Sequence, residues 1–266
     1  MDELSAFKFA PASLKENEEK LFKNADLVFT GGHSLFEAKK HRHSQIYPFP
    51  SSIDKEHFTK ARLDMHEPED QRLIPHPRIG FYGVIDERMD TDLIAKVARE
   101  KPEWHFVMIG PVVKIDNNSL PRLSNIHYLG GKSYSELPEY LAGWDIAIIP
   151  FALNESTKFI SPTKTPEYLA AGKPVISSSI RDVVKPYGEN KLVHIADTPE
   201  DFISAAEKEL KIKDQKPWLT AVDAFLGENS WDHTWNEMMN LIINVLEEKK
   251  QKKKFNNLNR KENIYV

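Results

Sequence analysis

The sequence predicts an α/β fold with a doubly wound, mostly parallel sheet. Short apolar runs alternate with helical patterns from Pro77 to about residue 210, as they do in repeated strand–helix units. Runs such as DIAIIPF (145–151) are apolar almost throughout, which is typical of strands buried on both faces. These two observations indicate one complete doubly wound domain in this part of the chain.

The order of elements within this block follows from the spacing of its apolar residues. Strands are predicted at short runs rich in apolar residues, and helices where the pattern between these runs is helical. The predicted strands are RIGFYG (78–83), WHFVMIG (104–110), NIHYLG (125–130), DIAIIPF (145–151), KPVISSS (173–179) and KLVHIA (191–196). The predicted helices are TDLIAKVAREKP (91–102), YSELPEYLAGW (134–144), TPEYLAAG (165–172) and PEDFISAAEKEL (199–210).

The residues before this block predict one strand–helix pair and two connectors. ADLVFTG (25–31) predicts a short strand, and SLFEAKKHRH (34–43) a helix with Ser34 as its N-cap. Residues 45–54 contain too much Pro for a central strand and predict an extended connector. Residues 60–77 are charged and interrupted by Pro, which predicts a linker.

The chain ends in a helical pattern followed by a basic tail. Residues 231–250 predict a long amphipathic helix, capped by Asn229 or Ser230, with Trp231 and Trp235 packing on the core. The tail that follows is rich in Lys and predicts disorder, with contact to anionic lipid as the alternative.

Composition limits the function classes. The formal net charge is −4 and there is no Cys, so neither nucleic-acid binding nor a thiolate metal site is predicted. No apolar run approaches the roughly 18 residues that span a bilayer, and the first twenty residues are acidic and mixed. We therefore expect a cytoplasmic protein, with any membrane contact at the inner face through the Lys-rich tail.

The loops after the predicted strands are the candidate ligand site, because ligands of doubly wound sheets bind beyond the carboxyl ends of the strands. GVIDERMD (83–90), GPVVKIDNN (110–118) and GGKSYS (130–135) each begin with Gly. Gly permits a close approach of the backbone to a ligand, although taken singly each Gly is better explained by a tight turn. None of them matches the GxGxxG or Walker patterns.

A long loop follows the fourth strand and leads to a helix start at Ser161, Pro162, Thr163 and Lys164. Free N–H groups at such a start, together with the Lys charge, favour an anion. Glu167 comes one turn later. Its carboxylate either accepts hydrogen bonds from vicinal hydroxyls, as on a ribose, or complements the helix dipole, and spacing alone leaves both open.

The segment PTKTPEYLAAGKPVI (162–176) resembles the signature of GT-B fold glycosyltransferases of family 4 and their relatives. The resemblance extends through VMIGP, NIHYLGGKSYSELPEYLAGWDIAIIPF and ADLVFTGGHSLFEA, and covers about residues 25–245. It implies a Rossmann-like sheet that forms mainly the C-terminal, donor-binding half of a GT-B enzyme.

The resemblance also implies roles for individual residues. Glu167 matches the Glu that holds the ribose hydroxyls of a nucleotide sugar. Pro162, Thr163 and Lys164 lie in the part of the signature that contacts the diphosphate. No metal ion and no separate cofactor are implied, since the UDP- or GDP-sugar is itself a substrate.

Two other loops carry matched positions. Gly130, Gly131 and Lys132 match the loop near the base. Gly83 matches the Gly that lets the first strand end approach the sugar phosphate. Arg88 matches the charge that stabilises the leaving diphosphate, although the Arg/Lys pair that is usual in the family is blurred here.

Two patterns depart from the family or compete with it. The family often has a second Glu eight positions before the ribose Glu, and this chain has Phe159 there. Asp90-Thr91-Asp92 matches the metal-binding DxD motif of the other glycosyltransferase fold, but it opens a helix, where Asp is a common N-cap. No metal site is predicted.

The resemblance implies four parts along the chain: a remnant of the N-terminal GT-B domain at 1–59, a nucleotide-sugar-binding domain at 60–228, a crossing helix at 229–250 and a basic tail at 251–266. The half that binds the acceptor is missing from this scheme, so no catalytic residue is assigned. A second copy of this chain in a homo-oligomer, or an acceptor-binding half supplied by another source, would complete the enzyme.

The function expected from the resemblance is transfer of a hexose from a nucleotide sugar to a glycan or lipid-linked glycan, as in polysaccharide biosynthesis. Two alternatives stay open. One is a non-catalytic α/β module that binds a nucleotide or a protein partner, and the other is a sugar-nucleotide epimerase of GT-B fold.

Overall fold

The computed structural model describes residues 3–227 and 229–262 and confirms the α/β fold. Its strands are β1 Val28–Thr30, β2 Ile46–Pro48, β3 Arg78–Tyr82, β4 His105–Ile109, β5 Ile126–Gly130, β6 Ile146–Ile149, β7 Val175–Ser177 and β8 His194–Ile195. Six of them form one parallel sheet in the order β5-β4-β3-β6-β7-β8. Every residue of β3 and β6 is buried, in keeping with an apolar sequence throughout β6 and from Ile79 onward in β3.

Helices cover both sides of this sheet. They are α1 Ser13–Asn24, α2 His33–Lys39, α3 Lys55–Thr59, α4 Thr91–Glu100, α5 Leu137–Ala142, α6 Lys164–Ala170, α7 Arg181–Val183, α8 Pro199–Lys211, α9 Lys216–Phe225 and α10 Trp231–Glu262. α4 packs against α8, whereas α3 packs against α5 and α6. α1, α3, α7 and α9 were not predicted from the sequence.

The start of α4 illustrates how the sequence fixes an element. The Asp90 carboxylate accepts a hydrogen bond from the N–H of Leu93 at 2.8 Å, so Asp90 is the N-cap. Leu93, Ile94 and Val97 are buried and form the face that packs on the sheet.

The strand order creates one point where a ligand crevice is expected. From β3 the chain moves outward to β4 and β5, then returns to the other side of β3 and continues through β6, β7 and β8. Connections from β3 and β6 therefore leave in opposite directions. Doubly wound sheets bind ligands at this switch, beyond the carboxyl ends of the two strands.

A smaller unit precedes the large sheet. β1 and β2 pair in parallel, over a separate apolar cluster of Phe22, Val28 and Ile46. The prediction of a connector at 45–54 is therefore wrong for β2. Pro48 is tolerated because β2 has a neighbour on one side only.

The cap of α2 also differs from the prediction. The N-cap position is Gly32, with Ser34 inside the first turn. The N–H of Ser34 donates to Oδ1 of Asp182 at 2.9 Å, so a carboxylate 148 positions away caps this helix. This contact joins the small unit to the large sheet.

More than half of the residues in the region 60–77 are exposed, but Ala61, Gln71 and Ile74 are buried, so the predicted linker is anchored to the fold. Gln71 is 0% exposed. Its side chain donates to the carbonyl of Tyr140 at 3.0 Å and accepts from Nε1 of Trp144 at 2.9 Å. A buried amide with both ends satisfied anchors this region, which charge and Pro content did not reveal. Phe58, just before it, belongs to the core of the large sheet.

The C-terminal helix begins as predicted, since Ser230 Oγ accepts from the N–H of His233 at 3.1 Å. Trp231 and Trp235 are 55% and 60% exposed, so the expectation that they pack on the core is wrong. The helix continues to Glu262, which overturns the predicted disorder of the tail as far as that residue.

Residues 263–266 of the predicted tail, and residue 228 at the predicted domain boundary, lie outside the described residues. Along the parts of the chain that the structure describes, no helix is both long and apolar enough to span a membrane.

Candidate functional site

Gly83 ends the first strand of the large sheet and sits beside the switch point. Its φ is +139°, a conformation that residues with a side chain rarely adopt. A Cβ built on it would lie 2.3 Å from Cε of Lys164 and 2.8 Å from its Nζ. Gly at this position therefore gives the Lys164 side chain room to cross the end of β3.

Lys164 is half-buried over the ring of Phe81, with Nζ 5.7 Å from the ring centroid. Burial lowers the pKa of the Lys164 ammonium, the nearby Glu167 carboxylate opposes this, and Arg88 adds to the lowering. A cation with little water around it exerts a stronger field than an exposed one. The arrangement suits a negatively charged ligand at the strand end.

Glu167 lies one turn into α6 and is half-buried. Tyr82, the last residue of β3, donates its hydroxyl proton to Glu167 Oε2. Burial raises the pKa of the Glu167 carboxyl, while the Tyr82 hydrogen bond and the Lys164 charge act against it. Glu167 and Lys164 thus face the same strand end from one helix.

Arg88 in the loop after β3 is held by Asp86. Its Nε donates to Oδ1 at 2.9 Å and its Nη2 to Oδ2 at 2.8 Å, and Asp86 is only 4% exposed. A two-pronged bond of this kind fixes the direction of a guanidinium. The ring of Phe7 lies 5.4 Å from Cζ of Arg88 and 5.4 Å from Nζ of Lys114.

The long loop after β6 packs against the Arg88 loop. The N–H of Ala152 donates to the carbonyl of Arg88 at 2.7 Å. Within the loop, Asn154 Oδ1 accepts from the N–H of Ser156 at 2.9 Å. Phe159, where the family often has Glu, is half-buried, with Nζ of Lys158 5.5 Å from its ring centroid.

The start of α6 carries the remaining predicted residues of that segment. Thr163 is exposed and occupies the N-cap position without a side-chain cap. The carbonyl of Pro162 accepts from the N–H of Thr165 at 3.2 Å. These two residues border Lys164 by their place in the chain.

The loop after β5 is more open. A Cβ on Gly130 or Gly131 would meet no heavy atom within 4 Å. Lys132 Nζ lies 2.5 Å from Oδ2 of Asp70, and hydrogen bonds to Asp70 and Tyr140 raise the pKa of its ammonium. The ammonium group of Lys132 is thus paired with Asp70. At the switch point, by contrast, the Lys164 side chain lies against Gly83 and interacts electrostatically with Glu167.

Two residues that hold the predicted site residues Glu167 and Arg88 were not found from the sequence. Tyr82 was assigned only to a strand, and Asp86 only to a loop. The available signals were an aromatic hydroxyl directly before the Gly of a strand end and an Asp two positions before Arg88.

In the described ranges, no group of three or more His, Cys, Asp or Glu side chains is placed to hold a metal ion.

Doubly wound α/β domains that bind ligands do so beyond the carboxyl ends of their strands, at the switch point, which is where Lys164, Arg88 and Glu167 lie in this chain. The family model described as Glycosyl transferases group 1 matches residues 76–211, which is just over half of the chain. The chain belongs to this family.

One curated relative has a matching sequence. It is the putative teichuronic acid biosynthesis glycosyltransferase TuaH of Bacillus subtilis (strain 168), which is 34% identical over 166 residues. The match covers 60% of this chain and 37% of TuaH. The chain therefore spans little more than a third of that relative's length.

Solved structures share the fold. HepE of Anabaena, crystallised with UDP and glucose, superposes with a TM-score of 0.64 at 14% identity, over 89% of this chain and 67% of HepE. A glycosyltransferase of Rickettsia africae gives a TM-score of 0.67 at 14% identity, over 91% of this chain and 69% of the other. These likenesses confirm the GT-B type of fold.

Proposed function

We propose that this chain binds a UDP-sugar and serves as the donor-binding part of a glycosyltransferase. The observation that carries the proposal is the cluster at the switch point, where Gly83 makes room for Lys164 and Glu167 lies on the same helix. Family membership supports it. The crystal complexes of HepE with UDP and with UDP-glucose favour UDP over GDP.

Each part of the cluster has a chemical task in this proposal. Glu167 accepts hydrogen bonds from the ribose hydroxyls, while Lys164 and Arg88 face the diphosphate. When the glycosidic bond breaks, negative charge grows on the departing diphosphate, and fixed cations in a partly dry site stabilise it. Pro162 and Thr163 border the diphosphate, and Gly130, Gly131 and Lys132 border the base.

The proposed acceptor is a glycan or lipid-linked glycan at the cytoplasmic face of a membrane. The teichuronic acid assignment of TuaH supports a polysaccharide. Lys250, Lys252, Lys253 and Lys254 are exposed near the end of α10, and each Lys near an anionic surface contributes about 1 kcal/mol of attraction. Co-sedimentation with anionic but not neutral vesicles, lost when these four become Ala, is the expected result.

Ligand binding and product analysis separate this proposal from its alternatives. We expect UDP to bind more tightly than GDP, and UDP-sugar to be used only with an acceptor present. Release of an epimerised UDP-sugar without acceptor would favour the epimerase. UDP binding with no transfer to any glycan, even together with a full-length relative's N-terminal half, would favour the non-catalytic module.

A further inference from the structure

Tyr82 has no role in the proposed function, yet its side chain is buried among aromatic rings. It is 7% exposed. Its ring centroid lies 5.0 Å from that of Tyr168, 6.2 Å from that of Trp144 and 6.4 Å from that of Phe58. Packing on three sides leaves the ring one orientation.

The polar atoms of Tyr82 hold two consecutive residues of α6. The hydroxyl donates to Glu167 Oε2, and the backbone N–H donates to the hydroxyl of Tyr168 at 3.0 Å. The end of β3 is thereby joined to α6 once through a side chain and once through the backbone. The Glu167 carboxylate is held from the strand as well as from its own helix.

We infer that Tyr82 is a positioning residue for the nucleoside of the donor, and that its hydroxyl and Glu167 together form the acceptor pair for the 2′ and 3′ hydroxyls of the ribose. The inference rests on the proposed function. A Tyr hydroxyl that donates one hydrogen bond can still accept another. The pair therefore offers Glu167 Oε1 and the Tyr82 oxygen to two vicinal hydroxyls.

Removing the Tyr82 hydroxyl also changes the protonation of Glu167. The titratable groups that act on or are affected by this carboxylate are Tyr82 on β3, Lys164 and Tyr168 on α6, and Tyr134 after β5. Burial raises the pKa of Glu167, and the Tyr82 hydrogen bond lowers it. Without that hydrogen bond the pKa rises further, so the carboxylate becomes protonated at a higher pH.

The test compares Tyr82→Phe with Tyr128→Phe as a matched control, by calorimetric titration with UDP, 2′-deoxy-UDP and 3′-deoxy-UDP. Tyr128 donates to the carbonyl of Pro121 at 3.2 Å, so both variants lose one hydroxyl hydrogen bond. We expect Y82F to bind UDP about tenfold more weakly and to lose most of the preference for UDP over its deoxy forms. Y128F keeps both.

The pH at which UDP affinity halves gives a second readout, which a merely structural role would not move. We expect a higher value in Y82F than in the wild type. Replacing Tyr82 by 3-fluorotyrosine keeps the ring and strengthens the donor, so binding should persist to lower pH. This substitution decides the matter if Y82F does not fold.

The outcomes for the inference and for the proposed function differ. If Glu167→Ala lowers UDP affinity while Y82F and the fluorotyrosine protein match the wild type in ribose preference and pH dependence, the role of Tyr82 is overturned and the UDP site stands. If the wild type binds no UDP, the proposed function itself fails.

Discussion

Lys164 occupies the space in which a side chain on Gly83 would stand, since a Cβ there would lie 2.3 Å from Lys164 Cε. The two residues are 81 positions apart by their numbers (164 minus 83), and the sheet order brings them together. Gly83 at the end of β3 and the Lys164 cation at the start of α6 therefore form one unit.

Gly83→Ala should weaken both the fold and the ligand site. A Cβ at φ +139° is strained, which costs about 1–3 kcal/mol of unfolding free energy, and it displaces Lys164. We expect UDP affinity to fall about tenfold as well. Urea unfolding and calorimetry measure the two effects. Gly131→Ala is the stability control, because its Cβ meets nothing within 4 Å; equal stability of the two variants would contradict the account.

Lys164→Met should affect the diphosphate more than the nucleoside. Met retains the contact with Phe81 and removes the charge, so UDP affinity is expected to fall tenfold or more, roughly the loss of one charge-assisted hydrogen bond, while uridine affinity changes little. Lys158→Met is the matched control, since Lys158 is exposed on the neighbouring loop and 3.5 Å from Glu155. A uniform loss for UDP and uridine would mean that Lys164 acts only through packing.

UDP binding should weaken in mild acid because of Glu167. Its carboxyl group can accept hydrogen bonds at both oxygens only when it is ionised, and burial raises its pKa above the ordinary 4.5. Affinity therefore begins to fall at a higher pH than an exposed Glu would give. Titrations from pH 8 to pH 5 measure this. Glu167→Gln removes the titrating group, so an unchanged slope in that variant would assign the pH dependence to the ligand.

Asp182 should stabilise the fold by its hydrogen bond rather than by its charge. Asp182→Ala leaves the buried N–H of Ser34 unpaired, and we expect about 1–3 kcal/mol lower unfolding free energy. Asp182→Asn retains an acceptor and should be close to the wild type or above it. Asp197→Ala, which removes an exposed acceptor 2.7 Å from the N–H of Ser179, should have a smaller effect.

The pH dependence of stability has a defined sign at Asp182. Burial raises its folded pKa above the ordinary 3.8. The contribution of the group to stability is therefore complete below the unfolded pKa and is lost as the pH rises through the raised folded pKa. Unfolding free energies across this window should show the trend in the wild type and not in Asp182→Asn; the same trend in both would refute the assignment.

The sequence was sufficient for features that depend on local pattern. β6 is apolar throughout and β3 is apolar from Ile79 onward, because both strands are buried on both faces. Asp90 is recognisable as a cap next to its own helix. The family signature pointed to Glu167 and Lys164 because it lies in one uninterrupted segment.

Features that depend on distant residues were not predictable. The partner of Glu167 is 85 positions away at Tyr82, and the cap of α2 comes from Asp182 rather than Ser34. Gln71 lies in a charged, Pro-containing region. It is nevertheless buried, and its side-chain amide is hydrogen-bonded to the Tyr140 carbonyl and to Trp144 Nε1. In each case the contact joins residues that are far apart in the sequence, so the local sequence pattern does not predict it.

The most direct test of the central claim is a calorimetric titration of UDP into the wild type and Glu167→Ala. The account predicts saturable binding of one UDP per chain, weakened about tenfold or more in the variant through loss of the ribose hydrogen bonds. Absence of binding, or equal affinity in the two proteins, would contradict it.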